Sequence, residues 1–178
     1  MSRQSSKRSA AERVSILREG ISLIQQLENR NYLPSLLAHL GSALGGQGNS
    51  EAQQSAFQYY EQANAYFQES LDLARSQGSP WYISKTLAEW GEIHLKYQQL
   101  NAAAATFQEV LISERNTGGD PELLARARYG LARVAAYRGK TSEAARLGLE
   151  SETQFEKIGH YKAREVRNWL LSLPESTS

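Results

Sequence analysis

The feature that most constrains this chain is an alanine that recurs about every forty residues. Ala63, Ala103 and Ala144 are 40 and 41 residues apart, and Phe67 and Phe107 each follow their alanine by four residues. Four residues are about one turn of an α-helix. A period of this length is typical of one supersecondary unit that repeats along the chain and buries its apolar face against its neighbours.

Within each unit the pattern indicates helices. Apolar side chains step by three and four residues in Leu87, Trp90, Ile93 and Tyr97, which places them on one helix face. No segment shows the bounded period-two alternation that is typical of a half-buried strand. We therefore expect an all-α fold.

Proline and glycine divide these helices. Ser79-Pro80 and Asp120-Pro121 each have a capping residue followed by a proline in the first turn. Glycines such as Gly139 are typical of helix ends. The pattern predicts eight helices, joined by short links into antiparallel hairpins, over residues 10–29, 33–45, 50–77, 80–98, 101–117, 121–138, 141–158 and 160–173.

Composition limits the domain organisation and the environment. A net charge of +1 gives no field that would attract nucleic acid, and the absence of cysteine excludes disulfides and thiolate chemistry. No apolar run reaches the roughly 18 residues that span a bilayer, so we expect no membrane contact and a cytoplasmic protein. We expect residues 1–9 to be a disordered basic leader, 10–173 the helical repeat domain and 174–178 a disordered tail.

The paired large and small residues of these helices resemble the tetratricopeptide repeat. In that family such a pair lies on the first helix (helix A) of each hairpin, and a small residue lies early on the second (helix B). The pairs here are Leu40-Gly41, Trp90-Gly91, Leu131-Ala132 and Trp169-Leu170. The resemblance covers residues 33–173 and implies an α-solenoid, in which successive hairpins stack side by side.

Some positions depart from the family pattern. Gly148 stands where the third unit should have an aromatic residue, Gln98 replaces a turn glycine, and Leu170 is bulky at a small-residue position. The register of the first unit stays open. Either helix 50–77 is extended and Phe67 is its repeat aromatic, or Phe57 is.

The period near forty resembles the longer repeats of bacterial regulatory ATPases of the signal-transducing (STAND) type and their maltose-regulator relatives. The segment 119–174 carries this resemblance most clearly, through Tyr129–Ala135 and Gly159–Val166. It implies a sensor or partner-binding segment of a signalling regulator, because no ATPase module lies in these residues.

Such a repeat array implies a concave surface lined by helix A of each unit. We predict a protein or peptide partner there, and an acidic one, because guanidinium groups pair well with carboxylates. The predicted partner-binding residues are Lys85, Glu89, Glu92, Lys96, Arg126, Tyr129, Arg133, Tyr137, Arg164 and Arg167. The same charges could instead be ordinary solvated side chains. Homodimerisation through Trp81, Tyr82 or helix 50–77 is the alternative function.

Patterns that could indicate catalysis are weak. Gly139-Lys140-Thr141 resembles the end of a phosphate-binding loop, but Val134 stands where that loop needs a glycine. A helix-hairpin turn with Thr141 as the N-cap explains the three residues. The histidines lie far apart, and His94 occupies a position of the core. We therefore expect no enzymatic activity, no cofactor and no metal.

Overall fold

The described part of the chain is helical. A computed structural model describes residues 10–26, 36, 39–40 and 50–174, and these residues contain helices and turns but no strand. The all-α prediction is therefore confirmed for them. Seven helices have bounds that the structure describes: α1 (Ala10–Gln26), α2 (Ser50–Ser76), α3 (Pro80–Lys96), α4 (Leu100–Thr117), α5 (Pro121–Tyr137), α6 (Thr141–Lys157) and α7 (Lys162–Leu171).

The predicted helix positions agree with these bounds to within a few residues. The helix predicted for 33–45 lies outside the described residues, except that Leu36, His39 and Leu40 are helical. The predicted leader 1–9 lies outside them as well, and so does the predicted tail apart from Pro174.

The chain divides into two compact units, Met1–Ser70 and Leu71–Ser178. In the first, α1 buries Val14 and Ile21. In the same unit α2 buries Phe67 to 2% exposure, whereas Phe57 is 60% exposed. Burial therefore favours Phe67, rather than Phe57, as the interior aromatic of this unit.

In the second unit each helix from α3 to α7 packs against the next one along the chain, and α3 also contacts α5. Near the beginning of α3 and α5 the Trp81 side chain donates a hydrogen bond to Asp120, and nearer the ends of both helices Glu92 forms an ion pair with Arg133. The helices α3 and α5 therefore run parallel. Positions about forty residues apart lie side by side.

Phe107 of α4 packs between two glycines of the parallel helices. A Cβ atom built on Gly91 would lie 2.7 Å from the Phe107 ring, and one built on Gly130 would lie 2.3 Å from it. The fully buried ring therefore needs both glycines. Gly91 was expected as the small residue of its unit, whereas the contact with Gly130 was not expected.

The contact between α4 and α5 has a counterpart between α6 and α7, one period later. There the small residue lies on the first helix and the large residue on the second. Gly148 of α6 stands where α4 has Phe107, and a Cβ built on it would lie 2.6 Å from Leu170 of α7. Leu170 is the residue that is bulky at the small-residue position of its unit. The two departures from the repeat pattern thus compensate each other, because a large α7 residue fills the space that the small α6 residue leaves.

Candidate functional site

The predicted partner-binding residues meet most closely where α3 and α5 face each other. Arg133 Nη2 donates to Glu92 Oε1 at 2.5 Å, and the two side chains are 23% and 33% exposed. Charge-assisted pairs of this kind are stronger than neutral hydrogen bonds. The pair joins α3 to α5 by their polar faces.

Arg133 also lies over an aromatic ring of its own helix. Its guanidinium carbon is 4.4 Å from the centre of the Tyr129 ring, a distance at which a cation and the π-electrons attract each other. Tyr129 is buried and meets Trp169 of α7 edge-on, with ring centroids 5.3 Å apart. Burial raises the pKa of Tyr129, and the nearby Glu165 and Glu92 carboxylates also raise it, whereas Arg133 lowers it.

The centre of this face is therefore already engaged in contacts within the chain. Arg133 Nε is buried and has no hydrogen-bond partner among the described residues, while Glu92 and Tyr129 contact the rest of the guanidinium. The sequence predicts that Glu92, Tyr129 and Arg133 lie on the partner-binding surface. The structure shows that they connect neighbouring helices.

The other predicted residues surround this centre or lie apart from it. Arg126 is 4.0 Å from Glu122, and its side chain is mostly buried. Arg167 pairs with Glu152 and Glu156 of α6 and so lies against that helix. The exposed residues are Lys96, Tyr137, Arg164 and Arg167, and the half-buried ones are Lys85 and Glu89. Partial desolvation lowers the pKa of Lys96.

A cavity of about 450 Å³ lies at the ends of α3, α4 and α5, and none of the predicted partner-binding residues lines it. Its lining is Pro80, Trp81, Glu114, Gly118, Gly119 and Asp120. Trp81 Nε1 donates to Asp120 Oδ2 at 3.3 Å, and Glu114 Oε2 accepts from the Asp120 backbone N–H at 2.5 Å. No sequence pattern distinguishes Glu114, which is only 3% exposed.

Asp120 carries out the capping role that its sequence predicts. Its Oδ1 atom accepts from the backbone N–H groups of Glu122 and Leu123, which closes the first turn of α5. Trp81, which the homodimerisation alternative places at the surface, is 48% exposed beside this cap. The Lys85 ammonium lies 5.2 Å from the centre of its ring.

The residues considered above for catalysis or phosphate binding lie in the helical core or in a turn between helices. His94 is buried against Trp90, with ring centroids 5.2 Å apart, and desolvation lowers its pKa from 6.5 to about 4. In the Gly139-Lys140-Thr141 turn Gly139 has φ +74°. The N-cap there is Lys140 and not Thr141, so that detail of the prediction was wrong.

Two absences concern the described residues only. No group of three or more His, Asp or Glu side chains among them is placed to hold a metal ion. None of their helices combines the length and the apolar character needed to cross a membrane.

No model of a protein family matches the chain, and no curated protein matches it significantly.

Proposed function

We propose that this chain is a non-catalytic protein-interaction module of the tetratricopeptide-repeat type, in which an α-solenoid of stacked hairpins binds a peptide or protein partner. The binding surface is the face on which α3, α5 and α7 lie side by side. The partner presents carboxylates to the cations of that face.

The Glu92–Arg133 ion pair is the observation that carries this proposal. These residues are 41 positions apart, which is one repeat period, and they meet across two parallel helices. Stacked repeats give this relationship, since equivalent residues of successive units then share one surface. The resulting surface is extended and rigid, as a peptide-binding groove requires.

The exposed members of the predicted set suit an acidic partner. Lys96 and Arg164 carry charge at the surface, and Tyr137 offers a large exposed ring near the end of α5. A tyrosine ring provides contact area at a low cost in side-chain entropy. The ion pair of Glu92 and Arg133 is then a preformed part of the surface that the partner contacts.

The long period supports a further step of this proposal, in which the module is the sensing segment of a cytoplasmic bacterial regulator of the STAND type. The alternative function is self-association. Trp81 and Tyr82 favour it, because these adjacent rings are both about half exposed and are in contact with each other.

A peptide selection tests the partner-binding proposal. Random dodecapeptides displayed on phage are selected on the immobilised chain, and the affinities of the enriched sequences are measured by fluorescence anisotropy. We expect peptides rich in Asp and Glu. We expect the double variant Lys96→Glu/Arg164→Glu to bind them at least about tenfold more weakly, because two attractions become repulsions.

The matched control reverses two exposed cations on other helices, Arg115 of α4 and Lys157 of α6. Arg115→Glu/Lys157→Glu changes the net charge equally and should retain most of the affinity. Equal losses in both variants would show that only overall charge matters and would refute the proposed surface. Light scattering at several protein concentrations tests self-association. Self-association requires a molar mass that rises with concentration in the wild-type chain and returns to the monomer value in Trp81→Ser.

A further inference from the structure

We propose that the cavity beside Trp81 is a receptor for a cationic side chain, and that its ligand is an arginine of a protein partner. The cavity lies at the beginning of α3 and α5 and is lined by an indole ring and two carboxylates. This inference does not depend on the proposed function, since it concerns another surface and a ligand of opposite charge.

The charge of the cavity wall points to a cation. Two of its lining residues, Glu114 and Asp120, are acidic. The Asp120 carboxylate accepts hydrogen bonds from two backbone N–H groups and from the indole N–H, and no Lys, Arg or His side chain of the described residues forms an ion pair with it. Neutral donors leave the carboxylate charge in place, so a cation that enters the cavity gains its attraction.

The Trp81 ring supplies the second element of the site. An indole attracts cations to its face more strongly than the other aromatic side chains do. The attraction is already visible within the chain, because the Lys85 ammonium lies 5.2 Å from the ring centre. The indole N–H donates to Asp120, which holds the ring in position beside the carboxylates.

Arginine fits these walls better than a compact ammonium does. A guanidinium is planar, so it stacks on an indole face while its N–H groups point sideways. Those N–H groups can then donate to carboxylates, as forked donors do. The cavity of about 450 Å³ is open to the surface, so a side chain can reach it from a partner bound outside.

The probe for this site is the peptide acetyl-Gly-Arg-Gly-amide, and its control is the same peptide with citrulline. Citrulline has nearly the shape of arginine and no charge. Each peptide is titrated into the ¹⁵N-labelled full chain, and the indole N–H signal of Trp81 is followed by NMR, with Trp81→Phe assigning that signal. We expect saturable shifts with arginine and about tenfold weaker binding with citrulline.

Two conservative variants test the carboxylates. Asp120→Asn keeps an oxygen for the helix cap, and Glu114→Gln keeps an acceptor for the Asp120 N–H. Each should weaken arginine binding several-fold, while circular dichroism shows unchanged helicity. Equal binding of the two peptides, or unchanged binding in both variants, would overturn the proposal.

Lys85 separates this inference from the proposed function. Lys85→Gln removes a positive charge beside the ring, so it should strengthen binding of the arginine peptide about twofold. The same variant should weaken an acidic peptide selected on the α3–α5 face. Weaker arginine binding in Lys85→Gln would contradict the cation site and leave the acidic-peptide result unaffected.

Discussion

The Glu92 carboxylate and the Arg133 guanidinium, 41 residues apart in sequence, lie 2.5 Å from each other across α3 and α5. Their separation equals the repeat period, so the contact joins the same position of two successive units. Arg133 also packs on Tyr129, which meets Trp169 of α7. One chain of polar and aromatic contacts therefore connects three helices.

We predict that this pair stabilises the second unit by about 1 kcal/mol, more than a fully exposed pair would. The measurement is a double-mutant cycle of Glu92→Gln and Arg133→Gln in urea unfolding. The exposed pair Lys140–Glu143, at 3.4 Å, is the control and should show almost no coupling. A coupling at Glu92–Arg133 no larger than that of the control would show that the pair adds nothing to stability.

Gln98 and Gly139 occupy equivalent turns and differ in strain. Gln98 has φ +56° and Gly139 has φ +74°, and this left-handed region costs a non-glycine residue about 1 kcal/mol. We predict that Gln98→Gly stabilises the protein and that Gly139→Gln destabilises it, each by about 1 kcal/mol. Apart from its chain neighbours, no atom of the described residues lies within 4 Å of a Cβ built on Gly139, so backbone strain sets that cost. Thermal unfolding of the two variants measures both; shifts of the same sign would refute the argument.

We predict that Gly130→Ala destabilises the protein by about 1–2 kcal/mol, because its methyl group would overlap the buried Phe107 ring. The gain in helix propensity, about 1 kcal/mol, offsets only part of that cost. In Phe107→Leu the same alanine should cost less. Gly20→Ala in α1 is the matched control, since among the described residues its Cβ would meet nothing closer than Leu36 at 3.9 Å, and it should be neutral or stabilising. Urea unfolding compares the three, and a neutral Gly130→Ala would show that the ring can move away.

The helices could be predicted from sequence because their signals are local. Ser79-Pro80, Asp120-Pro121 and the glycine turns act through backbone geometry within a few residues. The size exchange between Gly148 and Leu170 could not be predicted, since each residue alone breaks the repeat pattern. Their compensation depends on two side chains from different helices filling one space.

The candidate site was predicted only in part for the same reason. Helical periodicity predicted Glu92, Tyr129 and Arg133 on one face, and the structure brings these three side chains together. It could not show that these side chains contact one another, because the alignment of α3 against α5 depends on tertiary packing. Glu114 gave no signal at all, since its burial depends on the turn that brings Asp120 back onto it.

His94 makes the stability of the fold sensitive to acid. Burial lowers its pKa from 6.5 to about 4, so the folded protein keeps the ring neutral while the unfolded chain binds a proton as the pH falls below 6.5. Because the unfolded state then binds more protons, stability decreases from pH 6.5 towards pH 4 and is independent of this group at higher pH.

We predict a contribution of about 2–3 kcal/mol to the loss of stability between pH 7 and pH 4, since one pKa unit corresponds to about 1.4 kcal/mol. Carboxylates titrate in the same range, so the informative quantity is the difference between the wild-type chain and His94→Gln. Urea unfolding at half-unit pH steps should give a steeper decline for the wild type below pH 6.5 and parallel curves above it. If the curves stay parallel down to pH 4, the His94 ring takes up its proton in the folded core as readily as in water. The burial of His94 against Trp90 would then not be the cause of any acid sensitivity.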